Sequence, residues 1–438
     1  MPAIEILRDT LSNGVSVISN PNRLTESIAI AGSIKAGTMR DPLGGFGTAE
    51  LVSRMLTRGT RKRSAAEISR TIEEMGATLE FSNYDESVSF SARCHADYLG
   101  QLLEILSDCV CNPTFGEEET EKTKAEIISD LEAERDETRR MAYRGLLGEL
   151  YGKDGTYGRD TLGAIEDVVR LRPDNARRFH GDFYDPQSMI LAVTGRFDHS
   201  DLLSKVEDSL ASWAKMPKVD TSLPRPLDSF PPSSVTFPMP HKSQVDVGLG
   251  ARTVPRKSEE YHALNLGNLI LGRIGLYGRL GRNVRDEKGL AYYCFSTLQS
   301  KLFAGHVAIL AGVNPKNLEK AIEGIAEEIQ RISSEPLSAS EITKGRKNLL
   351  GSLSLSLESS IERVSLLHDI EYFSLGADYL ERYGSILESV TSESVLRSFE
   401  RYFTLDKVSL AVAGPVKGES SKTNKIKLPK EISFPHAE

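Results

Sequence analysis

No two of the eight histidines lie within five residues of each other. That spacing excludes a zinc site built from two histidines on one turn of helix. Cysteine is scarce: Cys94, Cys109, Cys111 and Cys294. Four scattered thiols do not make a disulfide scaffold, and they suit a reducing, cytoplasmic setting. No apolar run reaches the roughly 18 residues of a membrane span. The opening residues carry early charges and no apolar core, so a signal peptide is not expected. No Ser/His/Asp order is recognisable. The Gly-rich stretch Leu271 to Arg282 lacks Gly-Lys-Ser and follows an apolar helix, not a strand, so it reads as an open loop and not as a phosphate cradle. The net charge of -8 argues against nonspecific nucleic-acid binding.

What is present fits a globular chain of 438 residues with 39% hydrophobic residues, long enough for two full cores. Ser12-Asn13-Gly14 marks a hairpin between Ile4–Leu7 and Val15–Ile18. Ser27 to Lys35 is a strand of small residues. Ser64 and Glu67 form a capping box for a helix that Gly76 stops. Strands follow over 78–81 and 87–92. Next come helices over 98–109 and, with acids in its first turn, 117–140. Ala142 to Tyr151 continues as helix.

Residues 215–240 carry seven prolines and read as a semi-rigid linker. Beyond them the pattern repeats. Tyr184 to Gly195 lines up with Phe403 to Gly414, Asn112-Pro113 with Glu335-Pro336, and Gly76 to Ser82 with Gly289 to Ser296. Two copies of one α+β domain are predicted: residues 1–214 and 234–420. The linker is placed at 215–233 and a polar tail at 421–438.

Residues 47–60 read as one helix running into a Gly59-Thr60 stop. Leu51, Val52, Met55 and Leu56 recur at core spacing. Glu50, Ser53 and Arg54 fall at i, i+3 and i+4 on another face. In an H-x-x-E-H helix those slots hold two metal ligands and a general base. Here they hold an acid, a hydroxyl and a cation that can pair as a surface salt bridge. In the second half, Arg285 ends a helix and Tyr292 follows the Gly289 stop. Together they could donate to a carbonyl oxygen and its oxyanion; the plainer alternative is a helix-capping Arg and a sheet Tyr. Cys109-Val-Cys111 is either half of a metal site or a buried helix end. Glu126, Asp130, Glu132 and Glu134 read as a solvated helix face, and Arg58 to Arg63 as solvated loop charge.

Over nearly its whole length the chain resembles the pitrilysin/insulinase-type peptidases, in the half-length branch of the mitochondrial processing peptidase. Gly47-Thr-Ala-Glu-Leu-Val-Ser-Arg-Met-Leu-Thr-Arg-Gly-Thr60 is similar to G-x-A-H-F-L-E-H-M-L-F-x-G-T. Val284-Arg-Asp-Glu-Lys-Gly-Leu-Ala-Tyr292 is closer still to V-R-x-x-x-G-L-A-Y. The resemblance implies two homologous α+β domains, each a mostly antiparallel sheet with helices on one face. It puts the zinc histidines at Glu50 and Arg54, the catalytic glutamate at Ser53, and the distal zinc glutamate near Ser129 or Asp130. No metal is therefore expected in this chain. Arg285 and Tyr292 match the pair that binds substrate and stabilises the transition state. The implied function is the non-zinc subunit of a heterodimeric zinc metalloendopeptidase acting on unfolded peptides, with the zinc in a homologous partner. The alternative is a noncatalytic structural or peptide-binding member.

Overall fold

The computed structural model of the chain describes residues 5–214, 223–226, 230–274 and 278–416. The elements begin with β1 (Leu7–Thr10), β2 (Ser16–Pro21), β3 (Ser27–Ile34), α1 (Thr48–Met55), α2 (Ala65–Glu74), β4 (Thr78–Asn83) and β5 (Val88–His95). There follow α3 (Leu99–Cys111), α4 (Glu117–Arg135), α5 (Thr138–Tyr151), α6 (Ile165–Val168), α7 (Pro173–Phe183), β6 (Ile190–Gly195) and α8 (His199–Leu210). The second half runs β7 (Ser234–Pro238), β8 (Val245–Thr253), α9 (Tyr261–Asn268), β9 (Ala291–Ser300), β10 (Gly305–Val313), α10 (Leu318–Ser334) and α11 (Ala339–Glu358). It closes with α12 (Ser360–Tyr372), α13 (Tyr379–Ser389), α14 (Ser392–Tyr402) and β11 (Ser409–Gly414).

The α+β repeat is plain in the sheets. The first is six-stranded, ordered β1-β2-β6-β3-β5-β4; the second is five-stranded, ordered β7-β11-β8-β10-β9. In each, one parallel pair (β2 with β6, β7 with β11) joins otherwise antiparallel neighbours. Strands β4 and β9 form equivalent outer edges.

Two compact units result, and neither is contiguous in sequence. One comprises the residues up to Leu131 with Asp160–Pro224 and Leu353–Glu381; the other comprises Glu132–Arg159, Arg225–Ser352 and the residues from Arg382. Each unit thus takes one segment from the opposite half of the chain. Alternation along β3 shows what the first borrowed helix does. Ile28, Ile30 and Ile34 enter the main core, whereas Ala29 and Ala31 face Val364 and Leu367 of α12. Period-two alternation gives the strand these two apolar faces. Full burial of a Val or Leu stabilises by about 1.5–3 kcal/mol, enough for α12 to cover a sheet face that the repeat leaves open. In the second unit α5 plays the same part: Ala142 packs with Met239 and Ala413. Each sheet therefore carries a helix on the face opposite its main helical layer.

The predicted 117–140 helix is divided. Helix α4 stops at Arg135, Glu137 is extended (φ -100°, ψ 113°) and α5 starts at Thr138. No glycine or proline marks the break. The chain passes from one unit to the other between Leu131 and Glu132, within the last turns of α4. The small-residue strand has a steric reason. A Cβ on Gly32 would lie 2.1 Å from the Phe90 ring and 2.5 Å from the Ile190 carbonyl oxygen. Gly32→Ala is expected to cost about 1–3 kcal/mol, as overpacked sites do, measured by chemical denaturation.

The capping box forms as read: Ser64 N–H donates to Glu67 Oε2 at 2.7 Å, and Glu67 N–H donates to Ser64 Oγ at 3.3 Å. Most of the Pro-rich linker (215–222 and 227–229), the tail, the first four residues and Gly275 to Tyr277 lie outside the described residues. Among those described, no helix is long and apolar enough to cross a membrane.

Candidate functional site

Helix α1 is set by its own sequence. Gly47, at φ 102°, starts it, and Gly47 and Ala49 N–H groups donate to Asp41 at 2.8 Å. Leu51, Val52, Met55 and Leu56 are buried in the core. The opposite face is not a solvent face either: Glu50 is 7% and Ser53 2% exposed. Arg54 Nε donates to Glu50 Oε1 at 2.6 Å, and its Nη1 lies 2.8 Å from Asp130 Oδ2. The expected surface pair is therefore a half-buried triad. Burial raises the Glu50 pKa above the ordinary 4.5, against the pull of Arg54 and of a hydrogen bond with Asn83.

The geometry selects Asp130, not Ser129, as the α4 residue that completes this triad. Two carboxylates on either side of one position could in principle hold a cation. The position is filled by the Arg54 guanidinium, which is permanently charged and has no lone pair to donate. Glu50, Ser53, Arg54 and Asp130 do not fit a zinc ion. Among the described residues, no group of three or more His, Cys, Asp or Glu is placed to hold a metal.

The other readings of charge and thiols are also decided by packing. Arg58 pairs with Glu126 at 3.0 Å, and Arg63 with Glu104 at 2.6 Å and Asp108 at 3.0 Å. Arg58 and Arg63 thus tie the loop after α1 to α4 and α3, while Arg61 and Lys62 between them are exposed, as a solvated loop requires. Cys109 and Cys111 close α3, and burial pushes both thiols up to about 12. Cys109 is buried and Cys111 half-buried at this helix end. The described part of the Gly-rich stretch is packed: a Cβ on Gly272 would meet Ser296 N at 2.6 Å.

The Arg285-Tyr292 turn differs in character. Arg285 lies in a π-helical segment, Gly281–Glu287. Such irregular turns are frequent at functional sites. The segment closes through Gly289 (φ 61°), whose N–H donates to Arg285 O at 3.1 Å; Leu290 N–H donates to Val284 O at 2.9 Å. Asn283 Nδ2 donates at 2.6 Å to Glu328 Oε1 on α10, which also accepts from Arg331 at 2.9 Å. Glu328 is fully buried. This anchors the turn from beneath, while Lys288 pairs with Glu327 at its surface. Arg285 is exposed, and Tyr292, the second residue of β9, is 59% exposed. Neither side chain has a hydrogen-bond or ion-pair partner among the described residues.

Comparison with known proteins agrees with this architecture. Residues 16–163 match the family profile described as insulinase (peptidase family M16), and residues 170–349 match that of the peptidase M16 inactive domain. A protein of Bacillus subtilis named as an uncharacterized zinc protease is 26% identical over 82% of this chain and 86% of its own length. A Streptomyces coelicolor protein of like name is 25% identical over 95% and 91%. Among solved structures, a peptidase M16 inactive domain from Pseudomonas fluorescens superposes with a TM-score of 0.88 at 22% identity, covering 95% of this chain and 99% of that one. A protease from Helicobacter pylori gives 0.87 at 18% identity, over 94% and 100%. The matched profiles, together with the two repeated sheets, show that the chain belongs to the insulinase family of peptidases, family M16.

Proposed function

We propose that the chain is the non-zinc subunit of a heterodimeric metalloendopeptidase that acts on unfolded peptides. One contrast carries the reading. The α1 face is closed by the Arg54 guanidinium between Glu50 and Asp130, whereas Arg285 and Tyr292 stand exposed and without a partner among the described residues. Relatives named as zinc proteases support metal-dependent peptide chemistry in the assembled enzyme. A homologous partner with an intact H-x-x-E-H helix would hold the zinc. This chain contributes a guanidinium and a phenol, both hydrogen-bond donors suited to a peptide carbonyl and the oxyanion formed from it. The sheet edges β4 and β9 offer backbone groups to an extended peptide, which gives affinity with little sequence preference.

The same edges would serve a noncatalytic peptide-binding member, so the test separates the two. The purified chain alone is expected to lack both stoichiometric zinc and turnover of an unfolded peptide. Mixing with a zinc-bearing homologue, sought as the product of a neighbouring gene or by copurification, is expected to produce turnover. Zinc at one per chain, or a partner no more active with this chain than without it, would overturn the reading.

A further inference from the structure

The register of β9 on β10 is not continuous. Tyr293 pairs with Gly312, and Ala291 pairs with the next residue, Val313. Tyr292 is thus the extra residue of a β-bulge, a device that re-aims a side chain. Beside it, the Tyr293 hydroxyl donates to Asp246 Oδ1, and Asp246 Oδ2 accepts from Thr138 Oγ1 at 2.5 Å and Gln244 Nε2 at 3.0 Å. Asp246 is 1% exposed, on β8. Gly312 makes room for the ring: a Cβ there would lie 2.5 Å from Tyr293 Cε1 and 2.6 Å from Gln244 Nε2.

From this arrangement we infer that Tyr293 and Asp246 are positioning residues for Tyr292, holding the bulge that presents its phenol. The ring of Tyr293 crosses Gly312 and is tied to a buried carboxylate. The strand cannot slide by one residue to absorb the bulge without breaking that bond. Thr138 and Gln244 occupy the other carboxylate oxygen, so Asp246 cannot turn away without losing them. The functional part of the inference rests on the proposed role of Tyr292; the structural part does not.

The test uses both readouts. In the chain labelled with 3-fluorotyrosine, the Tyr292 resonance is identified by its loss in Tyr292→Phe. Tyr293→Phe keeps the ring and removes the bond, and Gly312→Ala displaces the ring. Each is expected to shift the Tyr292 resonance. In the complex with the zinc-bearing partner, each is expected to lower kcat by about ten- to hundred-fold, as small misplacements do, with KM little changed. An unmoved resonance overturns the latch. A shifted resonance with unchanged kcat overturns its functional role, provided Tyr292→Phe lowers kcat in the same complex. If Tyr292→Phe leaves kcat intact, the catalytic reading of Tyr292 fails instead. The latch then stands or falls on the fluorine signal alone.

Discussion

Tyr292→Phe is expected to lower kcat of the assembled peptidase by about 10²–10³-fold, the loss typical of one removed oxyanion donor. The side chain is 59% exposed, and its hydroxyl has no partner among the described residues. Its removal therefore leaves no buried group unsatisfied, and the thermal midpoint is expected to stay unchanged. KM should move little, because a donor that strengthens only as charge develops contributes to the transition state more than to substrate binding. Steady-state kinetics with saturating partner checks this. Turnover equal to that of the unaltered complex would remove Tyr292 from catalysis and favour the peptide-binding alternative.

The second large effect concerns stability. Arg54→Met is expected to destabilise the chain by about 2–3 kcal/mol near neutral pH. That is below the roughly 3–5 kcal/mol of breaking a fully buried pair, because the Arg54 side chain is 25% exposed. The physical cause is Glu50, left in a desolvated position without its countercharge. The pH dependence follows from the direction of its shift. The folded pKa of Glu50 already lies above the ordinary 4.5, with burial as the main cause. A carboxyl with a raised folded pKa contributes stability that is complete below its unfolded pKa and lost as pH rises through the folded one. Removing Arg54 takes away the main opposing influence, so the folded pKa rises further. The gap between variant and wild type should be small near about pH 4, within the range where Glu50 is protonated in both states, and widen toward neutrality. Urea denaturation at both pH values measures it. A gap independent of pH would show that Glu50 is not the source.

The two readings of charge on this face show why context mattered. A salt bridge at i, i+4 on a solvent face is worth only about 0.3–0.5 kcal/mol. The same pair with Glu50 buried and Asp130 behind it becomes structural. Arg58 and Arg63 likewise exchange a solvated loop for carboxylates on neighbouring helices. In each case the residue type was legible and its partner was not.

Local rules in the chain determined a good deal. Helical spacing put Glu50, Ser53 and Arg54 on one face, because residues three and four apart are neighbours on any helix. Ser64 with Glu67, and the glycine stops at Gly76 and Gly289, fixed helix ends through backbone groups within a few residues. The repeat showed that one fold is used twice. Tertiary structure alone decided the rest. It chose Asp130 over Ser129, ended α4 at Arg135 without a breaker, sent α12 and α5 to sheets of the opposite half, and made Tyr292 the extra residue of a bulge. Apart from the end of α4, these depend on side chains meeting across long stretches of chain, as Asp246 meets both Thr138 and Tyr293. Local periodicity records which face a residue presents, and only packing determines what that face meets.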